Sequence, residues 1–560
     1  MKSLEARSPW LKIHEQLGVS FREETALPLG AHIEENAEKI PDNTALVFFD
    51  REISYRELNE EANRFANALV ALDIGKGDVV GVLLPNVPQY AFAVVALSKI
   101  GAILTGVSPL LAPSEAAYQI ENSGASLLLA LDALAESCLR KIEKIPSCLK
   151  TVVLTGARDF LTGESPREVP ITGVSCKSYA SLVREASTNF SQRPVSPEDI
   201  ALYQYTGGTT GRPKGAMITV GTTLNTNHQA FVYQPLEYGR ETFAIAYPYF
   251  HAAGLCGMIY LLRMGAKSSI IPDARDIGHF CEFMIKHPPT YIGAVPVLYQ
   301  MIIEHPLSKD IDFSGLKLAM TGAAPITGKT RTAIEDVIGE NKLSDTFGMT
   351  ETGSAYIVNP PSCPKPEAVG IPLPNVDVRI VDTVNGTEEM PTGTPGEIIC
   401  HSAYLMKGYL NLPDETERAL RQWNGREYMY TGDVGYMDED GYVFLCDRIK
   451  DMLIVGGYKV FSVEIEEKLA KLDFIARSAV VGTPDTERPG NDIVNLYVEL
   501  TPERCDDDPA AIEDRIRQYC RETMARYKVP KVISIIDAIP LTSVGKLDKK
   551  VLRDRANRSR

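Results

Sequence analysis

Tyr205-Thr-Gly-Gly-Thr-Thr-Gly-Arg-Pro-Lys-Gly215 follows directly on the apolar run Ile200-Ala-Leu-Tyr-Gln-Tyr205, so a strand delivers a flexible loop. Glycine lets backbone N–H groups turn toward a ligand, the hydroxyls of Thr206, Thr209 and Thr210 add donors, and Arg212 and Lys214 bring positive charge. A polyphosphate demands that chemistry. The common phosphate loop, G-x-x-x-x-G-K-[ST], does not fit, because Arg212 stands five residues after Gly207 and Pro213 five after Gly208. A Gly/Thr-rich surface turn accounts for the composition but not for the whole string.

Outward from this loop a strand–helix rhythm runs both ways. Upstream, apolar runs at 79–84, 103–107 and 126–129 alternate with helical stretches at 90–101 and 114–123, after an amphipathic helix over 55–72 that places Leu58, Ala62, Phe65, Ala66 and Leu69 on one face. Downstream, strands at 243–247, 268–271, 291–295 and 316–320 alternate with helices at 254–264 and 276–287. Such alternation reads as βαβ units. Two similar α/β halves packed face to face are predicted, with the polar stretch 156–197 as connection. Gly75-Lys-Gly77 is not a dinucleotide fingerprint, because Val80 stands where a third glycine belongs and the glycines precede a strand. From about 369 short strands and Gly/Pro turns take over. The predicted layout is a large domain over 1–446, closed by a β subdomain over about 369–446, a joint at 447–451, and a small α+β domain over 452–560 with helices at 463–472 and 510–526.

Composition sets the class. At 560 residues the chain is too long for one core, and 44% hydrophobic with 23% charged residues is ordinary for a soluble globular protein. A net charge of −15 argues against nucleic acid or an anionic membrane as partner, so anionic nucleotides must be met by local lysines and arginines. The first residues, Met1-Lys-Ser-Leu-Glu-Ala-Arg7, lack an apolar signal core. The most apolar stretch, 91–104, is broken by Ser98 and Lys99 and is too short to span a bilayer. Ten cysteines without a C-x-x-C pair and eight dispersed histidines give no zinc pattern, and free thiols in a reducing, cytoplasmic setting are expected. The closing Arg-Ser-Arg is no peroxisomal address.

The 205–215 string resembles the phosphate-binding signature of the adenylate-forming superfamily, which holds acyl-CoA synthetases, aryl-CoA ligases, peptide-synthetase adenylation domains and beetle luciferases. The resemblance extends over nearly the whole chain. Gly207 stands where members usually carry Ser, and some fatty acyl-CoA synthetases carry Gly there. The resemblance implies that Thr206, Gly207, Gly208, Thr209, Thr210, Gly211 and Lys214 cradle ATP, and that Gly322, Ala323 and Ala324 in Thr321-Gly-Ala-Ala-Pro325 let the backbone approach adenine. Asp345-Thr-Phe-Gly-Met-Thr-Glu351 is similar to the family's Tyr-Gly-x-Thr-Glu: Phe347, Gly348 and Met349 lie at the nucleotide, Thr350 donates to phosphate, and Glu351 with Thr206 holds Mg²⁺. Phe347 for the usual Tyr keeps a stacking ring and drops a hydroxyl. Taken alone, Phe-Gly in a loop is more often core packing.

In Tyr430-Thr-Gly-Asp433 the resemblance makes Asp433 the acceptor for both ribose hydroxyls. It takes Arg448 to ribose or phosphate and makes Lys450 the hinge. Lys546, in Pro540-Leu-Thr-Ser-Val-Gly-Lys546, would bridge the attacking carboxylate and the α-phosphate, against the bland alternative of a solvated lysine beside Lys549 and Lys550. Gly457 would face the pantetheine of coenzyme A in a second pose of the small domain.

His251, in Tyr247-Pro-Tyr-Phe-His251, is implied as a gate beside the carboxylate and thiol. Amino-acid-adenylating relatives carry Asp there to pair a buried ammonium, so an uncharged tail is expected. Leu255, Cys256, Met258, Val295, Val297 and Met349 would wall its pocket. The implied enzyme is an AMP-forming acyl-CoA synthetase, an acid–thiol ligase acting on a medium- or long-chain or branched fatty acid with ATP, Mg²⁺ and coenzyme A. Alternatives are a fatty acyl-AMP ligase loading a carrier protein, an aryl-CoA ligase, a luciferase-like oxygenase and a non-catalytic nucleotide-binding regulator. The oligomeric state is open, with a homodimer among the options.

Overall fold

Near-continuous apolar runs such as Val79–Leu83 and Leu127–Leu131 form strands buried on both faces, which is what a parallel sheet covered by helices requires. The computed structural model describes residues 8–20, 27–206, 212–322, 326, 328–504, 508–541 and 547–558. One sheet runs Ser175–Ser178, Thr151–Thr155, Leu127–Leu131, Val79–Leu83, Ile103–Gly106, Ile200–Thr206, Lys214–Thr219, parallel except for the last pair. The other has Leu343–Met349, Leu318–Gly322, Tyr291–Gly293, Thr242–Ile245, Lys267–Ile270 and Thr44–Phe48 as a parallel centre. Antiparallel strands edge it: Ser354–Val358 and Ile371–Pro372 on one side, Arg51–Ser54 on the other.

Two points depart from the sequence reading. Thr44–Phe48 lies in the first half of the chain but pairs in the second sheet, where Leu46, Val47 and Phe48 register with Ser268, Ser269 and Ile270. The stretch 156–197 is not mere connection: it holds the strand Ser175–Ser178 and the short helices Asp159–Thr162 and Tyr179–Arg184. Its residues are mostly polar because Ser175–Ser178 is an edge strand with no apolar face to advertise it.

The helix Tyr55–Val70 is opened by Ser54, whose Oγ accepts from the Glu57 N–H at 3.2 Å, and it buries the face predicted for it. Pro88–Ile100 starts on a proline at its first position, stops at Gly101 (φ 80°), and is buried at every residue but Ser98. That accounts for the apolar stretch 91–104: it is a core helix followed, past Gly101, by the buried strand Ile103–Gly106. Among the described residues no helix is long and apolar enough to cross a membrane.

The chain divides into two compact units, residues 1–377 with 401–429, and residues 378–400 with 430–560. The second unit thus takes in 378–400 and 430–446 along with everything beyond 451. Arg426–Met437 pairs with Leu420–Trp423 in the first unit and with Val443–Arg448 in the second. The second unit also holds the antiparallel pair Ile475–Pro484 and Asp492–Leu500, with Val532–Ile535 parallel to it, over a core of Ile465, Leu469, Leu496, Ile512 and Ile516.

In open α/β sheets ligands gather at the carboxyl ends of the strands. Both sheets of the first unit bring such ends to the segment 247–251. Asn86, just past Val79–Leu83, donates to the Tyr247 carbonyl at 3.0 Å and accepts from the Tyr249 N–H at 2.8 Å, while Gln204 donates to the Phe250 carbonyl at 2.8 Å.

Candidate active site

In the first unit the site grows from the hairpin Ile200–Thr206 and Lys214–Thr219, in which Thr206 lies opposite Lys214. Gly207 to Gly211, the tip of the expected phosphate loop, lie outside the described residues. Backbone hydrogen bonds add the segment 406–410 alongside this hairpin: Met217 N–H to Gly408 O at 2.9 Å, Lys407 N–H to Met217 O at 2.9 Å, Leu410 N–H to Gly215 O at 2.8 Å. The Thr350–Thr352 turn packs against both strands of the hairpin, and the Met406 N–H donates to the Glu351 carbonyl at 2.8 Å.

Tyr409 joins the charged groups. Its hydroxyl donates to Glu351 Oε1 at 2.6 Å, and Lys214 Nζ sits 4.5 Å from its ring centroid and 3.1 Å from Glu415 Oε2. Burial, reinforced by the Glu351 charge, drives the Tyr409 phenol far above its ordinary range, so it stays protonated and acts as donor. Glu351, 6% exposed, is buried with a fixed donor in Tyr409, whose ring lies under the Lys214 ammonium.

Phe347 is half-buried, its ring tilted 54° against Tyr356 at 5.4 Å. Met349 precedes the turn that carries Thr350, and its N–H donates to Thr352 Oγ1 at 3.1 Å. A Cβ at Gly322 would stand 2.5 Å from the Thr346 carbonyl oxygen and one at Gly348 2.3 Å from that of Ser354, so adjacent strands by themselves require both glycines. Ala323 and Ala324 lie outside the described residues. Asp345, at the head of the motif, is gripped by Arg331, and burial pushes its carboxyl up to about 6 against that pull. His251 caps the helix Ala252–Arg263, its Nδ1 accepting from the Ala253 N–H at 3.4 Å. Of the expected pocket wall, Leu255, Cys256 and Met258 are buried on that helix, and Val295, Val297 and Met349 are partly buried.

In the second unit Asp433 is 7% exposed and lies opposite Arg448 across two strands, with Arg448 Nε 3.0 Å from its Oδ1. Lys450 reaches the surface, but the protein packed about its stem, and then the Arg448 charge, push its ammonium down to about 8. Gly456 and Gly457 (φ 60° and 81°) form the two-residue turn of the hairpin Leu453–Val455 and Tyr458–Val460. Such a turn requires a positive φ at both positions, which accounts for the glycine pair without a ligand. Lys546 lies outside the described residues, as do 542–545. Lys549, three residues on, is largely buried: its Nζ lies 2.8 Å from Glu466 Oε1 and 2.6 Å from Ser462 Oγ. Burial works against its charge, yet Glu466, Asp447 and Asp451 outweigh that and raise it.

Residues 33–410 match the family described as AMP-binding enzyme, and 464–546 match its C-terminal domain. The chain belongs to the AMP-binding enzyme family. The identification with adenylate-forming enzymes of the acyl-CoA synthetase type, acid–thiol ligases, is borne out, as is the mixed α/β fold of a large N-terminal and a small C-terminal domain. A long-chain-fatty-acid–CoA ligase of Bacillus subtilis strain 168 is 30% identical, covering 98% of each chain. The anthranilate CoA ligase AuaEII, solved with anthranoyl-AMP, superposes with a TM-score of 0.83 at 26% identity, covering 96% of this chain and 99% of its own. An ATP-bound RpMatB–BxBclM chimera, B1, superposes at 0.82 and 26%, covering 95% and 99%.

Sequence reasoning missed Tyr409 and Glu415 in this AMP-binding enzyme. Both are distant from the phosphate loop in the chain and carry no motif of their own; only the pairing of 406–410 with the hairpin delivers them. Tyr409→Phe keeps the ring under Lys214 and removes one hydrogen bond to a buried carboxylate. The expected loss of stability is about 1.5–3 kcal/mol, read from the unfolding midpoint in urea; an unchanged midpoint would show that Glu351 does not depend on this donor.

Proposed function

We propose that this enzyme activates a medium- or long-chain or branched fatty acid in two steps. The acid's carboxylate oxygen attacks the α-phosphorus of ATP and pyrophosphate leaves; the thiol sulfur of coenzyme A then attacks the acyl carbonyl, AMP leaves, and the thiol proton passes to solvent. The observation that carries this reading is the meeting of Lys214, Tyr409 and Glu351 at the base of the phosphate-loop hairpin. A cation parked on Glu415 and an aromatic face is free to exchange onto phosphate oxygens. Glu351 and Thr206 offer hard oxygen donors. That suits Mg²⁺, which binds through one or two carboxylates and the substrate's own phosphates. When bound, the ion neutralises charge on the phosphates.

In this reading Lys214 and the loop Thr206–Gly211 bind phosphate, Thr350 donates to it, and Phe347 covers adenine. Asp433 accepts from the ribose hydroxyls, for which Arg448 must give up part of its contact. Lys546 bridges the two anions during adenylation, His251 gates the carboxylate, and Gly457 serves the thioester step. The domain over 452–560 turns at 447–451, about Lys450, between the two steps. Lys450→Pro therefore spares adenylation and slows thioester formation by about tenfold or more, measured as separate half-reactions; equal rates in both would remove the hinge. Free thiols at the nine described cysteines favour a cytoplasmic setting.

Pyrophosphate release across acids graded in length and branching, with ATP and Mg²⁺, tests the whole. Release that rises toward medium and long chains is expected. Silence with every acid overturns the reading, and preference for aromatic acids replaces the fatty tail with an aryl one. Supplying coenzyme A or a holo-carrier protein as acceptor separates a CoA ligase from a carrier-loading enzyme.

A further inference from the structure

Asn86 stands in the short connection between the strand Val79–Leu83 and the helix Pro88–Ile100, and it is only 4% exposed. Its carboxamide donates to the Tyr247 carbonyl at 3.0 Å and accepts from the Tyr249 N–H at 2.8 Å. One strand bonds to the next in the same way, through a carbonyl and an N–H two residues apart on its neighbour. Gln204, buried on Ile200–Thr206, donates to the Phe250 carbonyl at 2.8 Å. The segment is tied to the other sheet by its own side chains: the Tyr247 hydroxyl donates to the Ala294 carbonyl at 2.9 Å and the Tyr249 hydroxyl to that of Ser269 at 3.3 Å. The backbones also approach closely, since a Cβ at Gly106, which ends the strand Ile103–Gly106, would stand 3.0 Å from the Phe250 Cα.

Holding 247 and 249 holds Pro248 between them, and the Pro248 carbonyl accepts from the His251 N–H at 3.0 Å. A Cβ at Gly254 would collide with that carbonyl oxygen, so the first turn of Ala252–Arg263 is seated against it as well. A buried amide is costly unless its bonds are made. What it supplies in the interior is direction, and both bonds of Asn86 are directed at this one segment. We propose that Asn86 is a positioning residue, with Gln204 as its second support, whose bonds to 247–250 hold His251 in register with the hairpin that carries Thr206 and Lys214. The proposal rests on the reading in which His251 meets the substrate carboxylate.

ATP–pyrophosphate exchange by the full-length enzyme, with dodecanoate as the acid, tests it. Asn86→Leu keeps the branched outline of the side chain and removes both bonds. It is expected to raise the KM for dodecanoate by about tenfold or more and to leave the KM for ATP unchanged. A purely structural role would lower the fraction of folded enzyme, and with it the maximal rate, while moving neither KM. In a His251→Ala background the same substitution is expected to add nothing to the KM for the acid, because the side chain it places is gone. An unaltered KM for the acid in folded Asn86→Leu, an equal rise for ATP, or additive rises in the His251→Ala background overturns the positioning role alone. A wild-type KM and rate in His251→Ala overturns the assignment of His251 to the carboxylate, and the positioning role with it. Should Asn86→Leu fail to fold, Gln204→Met, which gives up only the bond to the Phe250 carbonyl, carries the same comparisons.

Discussion

Lys546→Ala is expected to lower acyl-adenylate formation by on the order of 10² or more while leaving thioester formation from supplied acyl-adenylate largely intact. The reason is electrostatic. Adenylation brings a carboxylate onto a triphosphate and builds charge on the equatorial phosphoryl oxygens, so two anions must meet before a bond forms. An ammonium bridging them acts more strongly in that transition state than on either reactant alone, and its loss appears in the rate. Thioester formation attacks the acyl carbon, where no such charge accumulates at phosphorus. Pyrophosphate exchange and single-turnover thioesterification, measured on one preparation, separate the two. Equal losses in both would show that Lys546 serves the fold and not the first step.

Glu351→Gln is expected to reduce adenylation by on the order of 10² and to raise the Mg²⁺ concentration needed for half-maximal rate, because an amide oxygen is a poor substitute for an anionic ligand to a hard cation. The substitution is isosteric, and the amide oxygen it introduces can still accept from the Tyr409 hydroxyl, so the buried contact at 2.6 Å is retained in kind. Stability should therefore change little, which distinguishes this variant from Tyr409→Phe: one removes charge and keeps the hydrogen bond, the other does the reverse. A wild-type Mg²⁺ dependence in Glu351→Gln would assign Glu351 to packing.

The two variants also show what was legible in advance. Lys214, Glu351 and Asp433, proposed for phosphate, metal and ribose, sit in strings recognisable by residue type and spacing, and local structure places them on a strand, on a short turn, and on a strand beside Arg448. The core helix Pro88–Ile100 was visible as an apolar run, and Tyr55–Val70 as a stripe at helical spacing. The membership of Thr44–Phe48 in the second sheet was not visible, because the alternation of strands and helices gives order along the chain and says nothing of which neighbour a strand takes.

By itself, then, the sequence determined the α/β class, the family and the segments proposed to carry the chemistry, because those depend on local periodicity and on short strings of particular side chains. Only the tertiary structure decided that Tyr409 couples Glu351 to Lys214 and that Lys549 is buried against Glu466. It also showed that Gly322, Gly348, Gly456 and Gly457 answer to neighbouring strands or to a tight turn before any ligand. Those facts depend on which backbone lies within a few ångströms of which, and contacts between residues remote in the chain leave no period or spacing to be read.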